Sequence, residues 1–505
     1  MLLAFSTIIF LCLLFWWRNR NSVLINWPII GMFPGLLLNA SRAHEFATDL
    51  LQKNDGTFVF KGPWFAGFDF MITSNSMNVQ HILSKNFTNY HRNLEFKQIF
   101  EPLGDGIFNS DGDWWKTQRR IIHTSLKHRK FELALEKIIQ QKILQGLFMV
   151  LDHVSVLGVE VDLQDVLHRL TFDNARALVL GFDPNCLSID FPQVPYEKAY
   201  DVIEEVAFHR HLKPHGFWKL QKWLQIGQER KMKKAWEIID HFLCQRISRK
   251  RELLSESKIQ IEGEDHFDLL TYILVEDDDK GGEKGVFRKS DKFVRDMAFY
   301  LLAAGSDTVA SGLVWFLWLV STHPLVEMKI LEEIKANLSV EGEEKWRFFN
   351  FKELSKLVYL HAAICEALRL YPPVPFEHKD SIESEILPSG HHIGRNTRII
   401  YSLYSMGRMK EIWGEDCLEF KPERWISDQG QIKPVSPYKF IVFNAGPRTC
   451  LGKDLTLVQM KAIASAVFWN YRFQVVEDHP IYPTTSMVLH MKHGLKVRVL
   501  KRRQS

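Results

Sequence analysis

Cys450 stands in the run 443–452, Phe-Asn-Ala-Gly-Pro-Arg-Thr-Cys-Leu-Gly, directly ahead of a helical apolar pattern. Gly446, Pro447 and Gly452 favour a tight loop that holds a sulfur in one place. A thiol held there, two residues after Arg448, suits three roles: reactive nucleophile, packed core residue or metal ligand. The remaining cysteines, Cys12, Cys186, Cys244, Cys365 and Cys417, form no CxxC pair. They suit a reducing compartment and suggest no zinc site.

Three further constellations bear chemistry. Ala304-Gly305-Ser306-Asp307-Thr308 lies inside an apolar segment, about 291–321, that predicts a helix of ~45 Å at ~1.5 Å per residue. A glycine, an acid and a hydroxyl together in mid-helix cost stability unless something uses them. Glu366 and Arg369 share one face of a helix over 359–370 that Pro372-Pro373 stops, with Ile364, Leu368 and Leu370 around them. Alone, such a pair reads as an exposed ion pair of little consequence. Trp115 and Arg119 lie four apart on one helical face of 113–120.

The aromatic seven residues before Cys450, the glycine four before, the basic residue two before and the glycine two after resemble the haem-binding loop of the cytochrome P450 superfamily. The segment 304–308 is similar to that family's distal oxygen-activation motif. Trp115 and Arg119 match its W-x-x-x-R helix, and Lys421-Pro422-Glu423-Arg424-Trp425 resembles its meander. The resemblance implies haem b, with Cys450 as the thiolate ligand of the iron and Phe443, Gly446, Arg448 and Gly452 shaping the loop. Trp115, Arg119, Arg448 and His378 would serve the two propionates. Gly305 would let the helix bulge, and Thr308 and Asp307 would organise water for proton delivery. Glu366, Arg369 and Arg424 would form a buried supporting network. By family position the pocket walls are Phe100, Leu103, Ile107, Phe108, Phe299, Leu302, Ala303, Val374, Phe376, Met487 and Val488, mainly apolar.

The implied reaction is monooxygenation: one oxygen atom enters a C–H bond and the other becomes water with two electrons from NADPH. No Walker loop, strand-associated G-x-G-x-x-G or Ser-His-Asp arrangement is present, so NADPH belongs on an NADPH-cytochrome P450 reductase. Lys116, Arg120, Lys127, Lys439 and Lys453 would steer that acidic flavoprotein. The wording of 443–454, 372–379 (Pro-Pro-Val-Pro-Phe-Glu-His-Lys), 387–391 and 218–224 is similar to the plant fatty-acid and alkane hydroxylase clan, especially its midchain alkane hydroxylase group. A long-chain alkane or fatty acid is then the expected substrate, with Arg92 and Lys97 open as carboxylate anchors. Two rivals stand beside it: oxidation or phenol coupling of a specialised aromatic metabolite, and a haem sensor or electron carrier, against which Thr308 and Asp307 speak.

The elements that must hold these groups are mainly helical. At 505 residues and 46% hydrophobic composition the chain can bury a large core, and a net charge of +4 gives no sign of a nucleic-acid binder. Amphipathic periodicity predicts helices over 132–152, 161–179 and 227–250, a hairpin over 58–72 and short strands around 380–405. The run 276–285 reads as an exposed loop, His209, His211 and His215 as a loop without metal, and Lys501-Arg502-Arg503 as a solvated tail. The fold expectation is a mainly α catalytic domain over 41–505 with small sheets, behind a Pro/Gly linker over 21–40.

Residues 2–17 are apolar and precede Arg18 and Arg20; a single-pass membrane anchor over 1–20 or a cleaved signal peptide would both begin so. No basic residue precedes the run and no small-x-small site follows it, which favours the anchor. The positive charges then place the catalytic bulk in the cytosol, on the endoplasmic reticulum membrane. The sequons at Asn39, Asn86 and Asn337 would stay unglycosylated.

Overall fold

The computed structural model describes residues 9–10, 13–17, 19–20, 23–256, 267–275, 290–337 and 348–502. Seven helices position the site: α1 (Gly112–Leu126), α2 (Leu163–Leu180), α3 (Pro195–Leu212), α4 (His215–Leu224), α5 (Asp291–Thr322), α6 (Val358–Leu370) and α7 (Lys453–Asn470). The axis of the molecule is α5, whose start Ser290 caps by accepting the Phe293 N–H. It is apolar nearly all round because α2, α6 and α7 and the helix Gly227–Ser255 pack against it. Among the described residues it alone is long and apolar enough to cross a membrane, yet most of it is buried inside the protein, as a core helix is.

Capping also sets α2: Asp162 accepts the Gln164 N–H at its start, and Gly181 at φ 62° ends it in the left-handed region. The expected helix over 132–152 is two helices, Arg129–Lys142 and Phe148–Leu157, joined by a wider π-turn at Ile143–Leu147.

The short strands among the described residues are β1 (Thr57–Phe60), β2 (Phe70–Thr73), β3 (Tyr90–His91), β4 (Glu160–Asp162), β5 (Phe376–Ser381), β6 (Glu385–Ile386), β7 (His392–Ile393), β8 (Arg398–Ser402), β9 (Tyr471–Val475) and β10 (Lys496–Lys501). The largest sheet runs β1-β2-β8-β5-β3, with only β2 and β8 parallel, at Met71 opposite Ile399. The expected hairpin over 58–72 is its β1–β2 pair.

The Pro/Gly segment is docked on the body. Met32 N–H donates to the Lys61 carbonyl at 2.7 Å, Phe33–Leu38 is helical, and Leu24 packs with Phe46, Phe60 and Phe68. The anchor over 1–20 falls largely outside the described residues; of those described, Phe10, Leu13 and Trp17 are exposed. The polar run 276–285 also lies outside them, while Leu269–Val275 just before it is helical. The solvated tail is corrected at Arg502. Lys501 ends β10 and is exposed, and Arg502 donates to the Phe468 and Tyr471 carbonyls and pairs with Glu327, because sheet pairing carries it back onto the core; Arg503 lies outside the described residues.

Candidate active site

The loop around Cys450 closes on itself. Cys450 N–H donates to the Phe443 carbonyl at 2.7 Å, and Thr449 N–H to the Gly446 carbonyl at 3.1 Å. Gly446 has φ +64°, and a Cβ there would stand 2.1 Å from the Leu83 carbonyl oxygen, so only glycine fits. At Gly452 a Cβ would lie 3.9 Å from Cys450 Sγ, so larger side chains would crowd the sulfur. That sulfur opens into an internal cavity of about 630 Å³, which no other described cysteine lines. Burial pushes the thiol up, while the Gly452 N–H, Arg119 and Lys453 favour the anion. The start of α7, three residues on, adds its N-terminal dipole to that side.

A cationic edge adjoins the sulfur. Arg119 donates to the Thr449 carbonyl at 2.8 Å, and Arg448 donates to the Ser110 carbonyl and the Asp111 carboxylate, each at 2.7 Å. The Arg448 guanidinium lies 4.5 Å from the centre of the Trp115 ring. Arg92 donates to the His378 carbonyl at 2.6 Å and to Glu377 at 3.2 Å. Burial, then Arg92, lowers Arg448 to about 10. Lys379, fully buried, is pushed well below the usual lysine range by burial, Arg92 and Arg448. Its Nζ and the Nε atoms of Arg92 and Arg448 are buried with no hydrogen-bond partner among the described residues. Buried donor atoms left without a partner, beside an apolar cavity with a thiol on its wall, fit an apolar disc that carries a metal and two carboxylates, which is the chemistry of haem.

Lys379 is the member of this cluster that the sequence reading missed. Strand alternation put attention on its neighbour His378, which lines the cavity with its Nε2 lying 3.2 Å from His211 Nε2. Burial, reinforced by His211, holds His378 well below its usual value, so it is neutral. The loop expected at 209–215 is also corrected: His209 and His211 belong to α3, His215 opens α4, and His211 is packed into the interior. Ile203, Ala207, Phe208 and His211 form one stripe of α3 on the cavity, a spacing that the polar look of 208–215 disguises.

On the far wall, Ala303, Ala304, Gly305 and Thr308 of α5 face the cavity. The bulge expected at Gly305 is absent: α5 is unbroken α-helix there, and a Cβ on Gly305 would meet only Ala175 Cβ at 4.0 Å. Thr308 donates its hydroxyl to the Ala304 carbonyl at 2.7 Å. One residue turns a helix by ~100°, and so Asp307 points away, into a second, polar cavity. Leu302 goes with it and is not a wall of the main cavity. Of the other expected walls, Phe100, Leu103, Ile107, Phe108 and Phe299 lie on it, as do Val374, Phe376, Met487 and Val488. Arg92 is on it too, whereas Lys97 is exposed elsewhere.

The sequence profile of the family described as Cytochrome P450 matches residues 23–499. The chain belongs to the cytochrome P450 family. It is an oxidoreductase that binds haem through a cysteine thiolate and takes NADPH-derived electrons through a reductase. It is 42% identical over 95% of its length, and 94% of the relative's, to alkane hydroxylase MAH1 of Arabidopsis thaliana. It is 38% identical to noroxomaritidine synthase 2 of Narcissus aff. pseudonarcissus, covering 96% of this chain and 92% of that one. It is also 38% identical to cytochrome P450 86B1 of Arabidopsis thaliana, over 94% of this chain and 85% of that protein.

In this P450, Glu366 on α6 is a buried hub. It accepts from Arg369 at 2.7 and 2.8 Å, from Arg424 Nε at 3.2 Å and from Trp425 Nε1 at 2.8 Å. Arg369 in turn donates to the Cys417 carbonyl at 2.7 Å and the Glu419 carbonyl at 3.0 Å, and Arg424 to Asp416 at 2.9 Å. The network ties α6 to the segment that leads into the cysteine loop. Outside, Lys116, Arg120, Lys127, Lys439 and Lys453 are all exposed; Lys116 pairs with Asp113 at 3.1 Å.

Proposed function

We propose that this P450 hydroxylates a C–H bond of a long-chain alkane. The observation that carries the reading is the wall of the main cavity: away from the cysteine loop it is apolar, and its cations there are engaged. Arg398 pairs with Glu95, so among the described residues the wall away from the haem edge presents no unpaired arginine to a fatty-acid carboxylate. The name of the alkane hydroxylase relative agrees with it. When bound, haem supplies the oxygen-activating chemistry, its thiolate ligand favouring O–O cleavage. The residues of the chain do the rest. Apolar walls exclude water and align the alkyl chain, and Trp115, Arg119, Arg448 and Arg92, with Lys379 behind them, would hold the propionates. Thr308 spends its own proton on the Ala304 carbonyl, so its oxygen is free to accept one from water in the cavity.

A second reading, oxidation or phenol coupling of an aromatic metabolite, draws support from the rings on the same wall, Phe100, Phe108, Phe208, Phe299 and Phe376. Substrate-induced spectral shifts separate the two. Long-chain alkanes are expected to displace the water spectrum and yield an alcohol, with fatty acids weaker; a shift with phenolic amines alone would install the second reading. The Thr308→Ala variant is expected to lower product per NADPH by roughly tenfold, with peroxide rising in its place. Unchanged coupling would remove Thr308 from proton delivery.

The proposed site of action is the endoplasmic reticulum membrane, with residues 1–20 as anchor, the catalytic domain in the cytosol and the exposed basic residues facing the reductase. Exposed Leu38, Trp64 and Phe65, and Phe217 and Trp223 on α4, support contact with a bilayer surface.

A further inference from the structure

Behind α5 lies a second cavity of about 370 Å³; Tyr200, Glu204 and Ser486 stand between it and the main cavity and line both. Its inner end holds four titratable side chains in a closed ring. His168 Nδ1 lies 3.6 Å from Asp307 Oδ1, His168 Nε2 lies 3.2 Å from His490 Nδ1, and His490 Nε2 lies 3.9 Å from Glu204 Oε2. Glu204 meets Asp307 directly and closes the ring.

The ring is held from three helices and a loop. His168 is on α2, Glu204 on α3 and Asp307 on α5. His490 belongs to a loop fixed to α5, where Ser311 and Trp315 both donate to the Leu489 carbonyl, at 2.8 and 2.7 Å. Asp162 and Asp165 face it from the start of α2, and Glu197, Asp201 and Glu205 from α3. Among the described residues the one arginine facing it is Arg176, which donates to Ser306 Oγ at 3.3 Å. So many acids around one arginine make the cavity a place that retains protons.

We propose that Glu204 reprotonates Asp307 from this second cavity, with His490 and His168 positioning the two carboxyls, which makes Glu204 the link between solvent and the distal pair. The proposal rests on the reading of Asp307 and Thr308 as that pair. The transfer balances with both imidazoles neutral. The Glu204 Oε–H bond breaks as an Asp307 carboxylate oxygen gains the proton, and Glu204 ends as a carboxylate that takes a proton from solvent. The 3.6 and 3.9 Å separations exceed hydrogen-bond length, so the imidazoles position the carboxyls and do not carry the proton.

Electrostatics agree with this order. Burial raises Glu204 to about 7, and burial, then Glu204, raises Asp307. Burial lowers His168 to about 4 and also lowers His490, so both imidazoles are neutral where the acids hold a proton. Glu204 loses its proton as pH rises through about 7, so the route closes on the alkaline side.

The test compares Glu204→Gln, Glu204→Asp, His490→Phe and Asp307→Asn in the haem-loaded enzyme, with product per NADPH measured against pH and in deuterated water. Wild-type coupling is expected to fall as pH rises through about 7. Glu204→Gln is expected to flatten that profile with coupling lowered several-fold at neutral pH, Glu204→Asp to restore part of it, and His490→Phe to keep the profile at lower coupling. A second readout needs no turnover: an infrared pH titration of the resting protein should show a protonated carboxyl band that Glu204→Gln removes. If Asp307→Asn uncouples while Glu204→Gln keeps the wild-type profile and isotope effect, the route is wrong and the distal pair stands. If Asp307→Asn changes nothing, the distal pair falls and the route with it. Should Glu204→Gln fail to hold haem, the wild-type titration decides, and no carboxyl band near neutral pH overturns the proposal.

Discussion

Cys450→Ser is expected to abolish the thiolate-type Soret band of the reduced carbon monoxide complex and to lower turnover more than about a thousandfold, roughly 4 kcal/mol of barrier. The fold should survive, because the loop uses the backbone of residue 450, through its N–H to the Phe443 carbonyl, rather than its side chain. What is lost is an anion. The Gly452 N–H, Arg119, Lys453 and the start of α7 all favour negative charge on the sulfur, and a serine hydroxyl is far too weak an acid to supply it. No other described cysteine can substitute. Cys365 is buried within α6, Cys186 N–H is bonded to Asp173, and the Cys417 thiol donates to the Arg408 carbonyl. A normal carbon monoxide spectrum in the variant, with circular dichroism unchanged, would dismiss Cys450 as the ligand.

Glu366→Ala is the second large effect. Removing that carboxylate strands Arg369, which is 1% exposed, and deprives Arg424 and Trp425 of an acceptor. Breaking a buried charge network this way costs ~3–5 kcal/mol. The cost falls on the stretch between α6 and the cysteine loop, so the protein should accumulate with little haem. Haem content per chain and the denaturant midpoint measure it. A variant that loads haem fully and unfolds at the wild-type midpoint would show the network to be dispensable.

The two predictions differ in how readily their residues announce themselves. The cysteine loop is local: Gly446 at φ +64° under the Leu83 carbonyl can only be glycine, and the spacing of 443, 446, 448, 450 and 452 is visible without any partner. Glu366 and Arg369 are likewise fixed by one helical turn, but their burial depends on Arg424 arriving from 58 residues away. The bulge at Gly305 was expected by analogy, and regular hydrogen bonding in α5 overrode it.

From the sequence alone came the family, the thiolate, the long α5 and the mainly helical architecture, because each rests on spacing within one element or one loop. Tertiary structure alone decided that Asp307 and Leu302 turn from the main cavity, that His211 meets His378, that Lys379 joins the buried cations and that His168 and His490 stand beside Asp307. Periodicity tells which residues share a face of an element; which neighbour that face meets is set by the packing of distant segments.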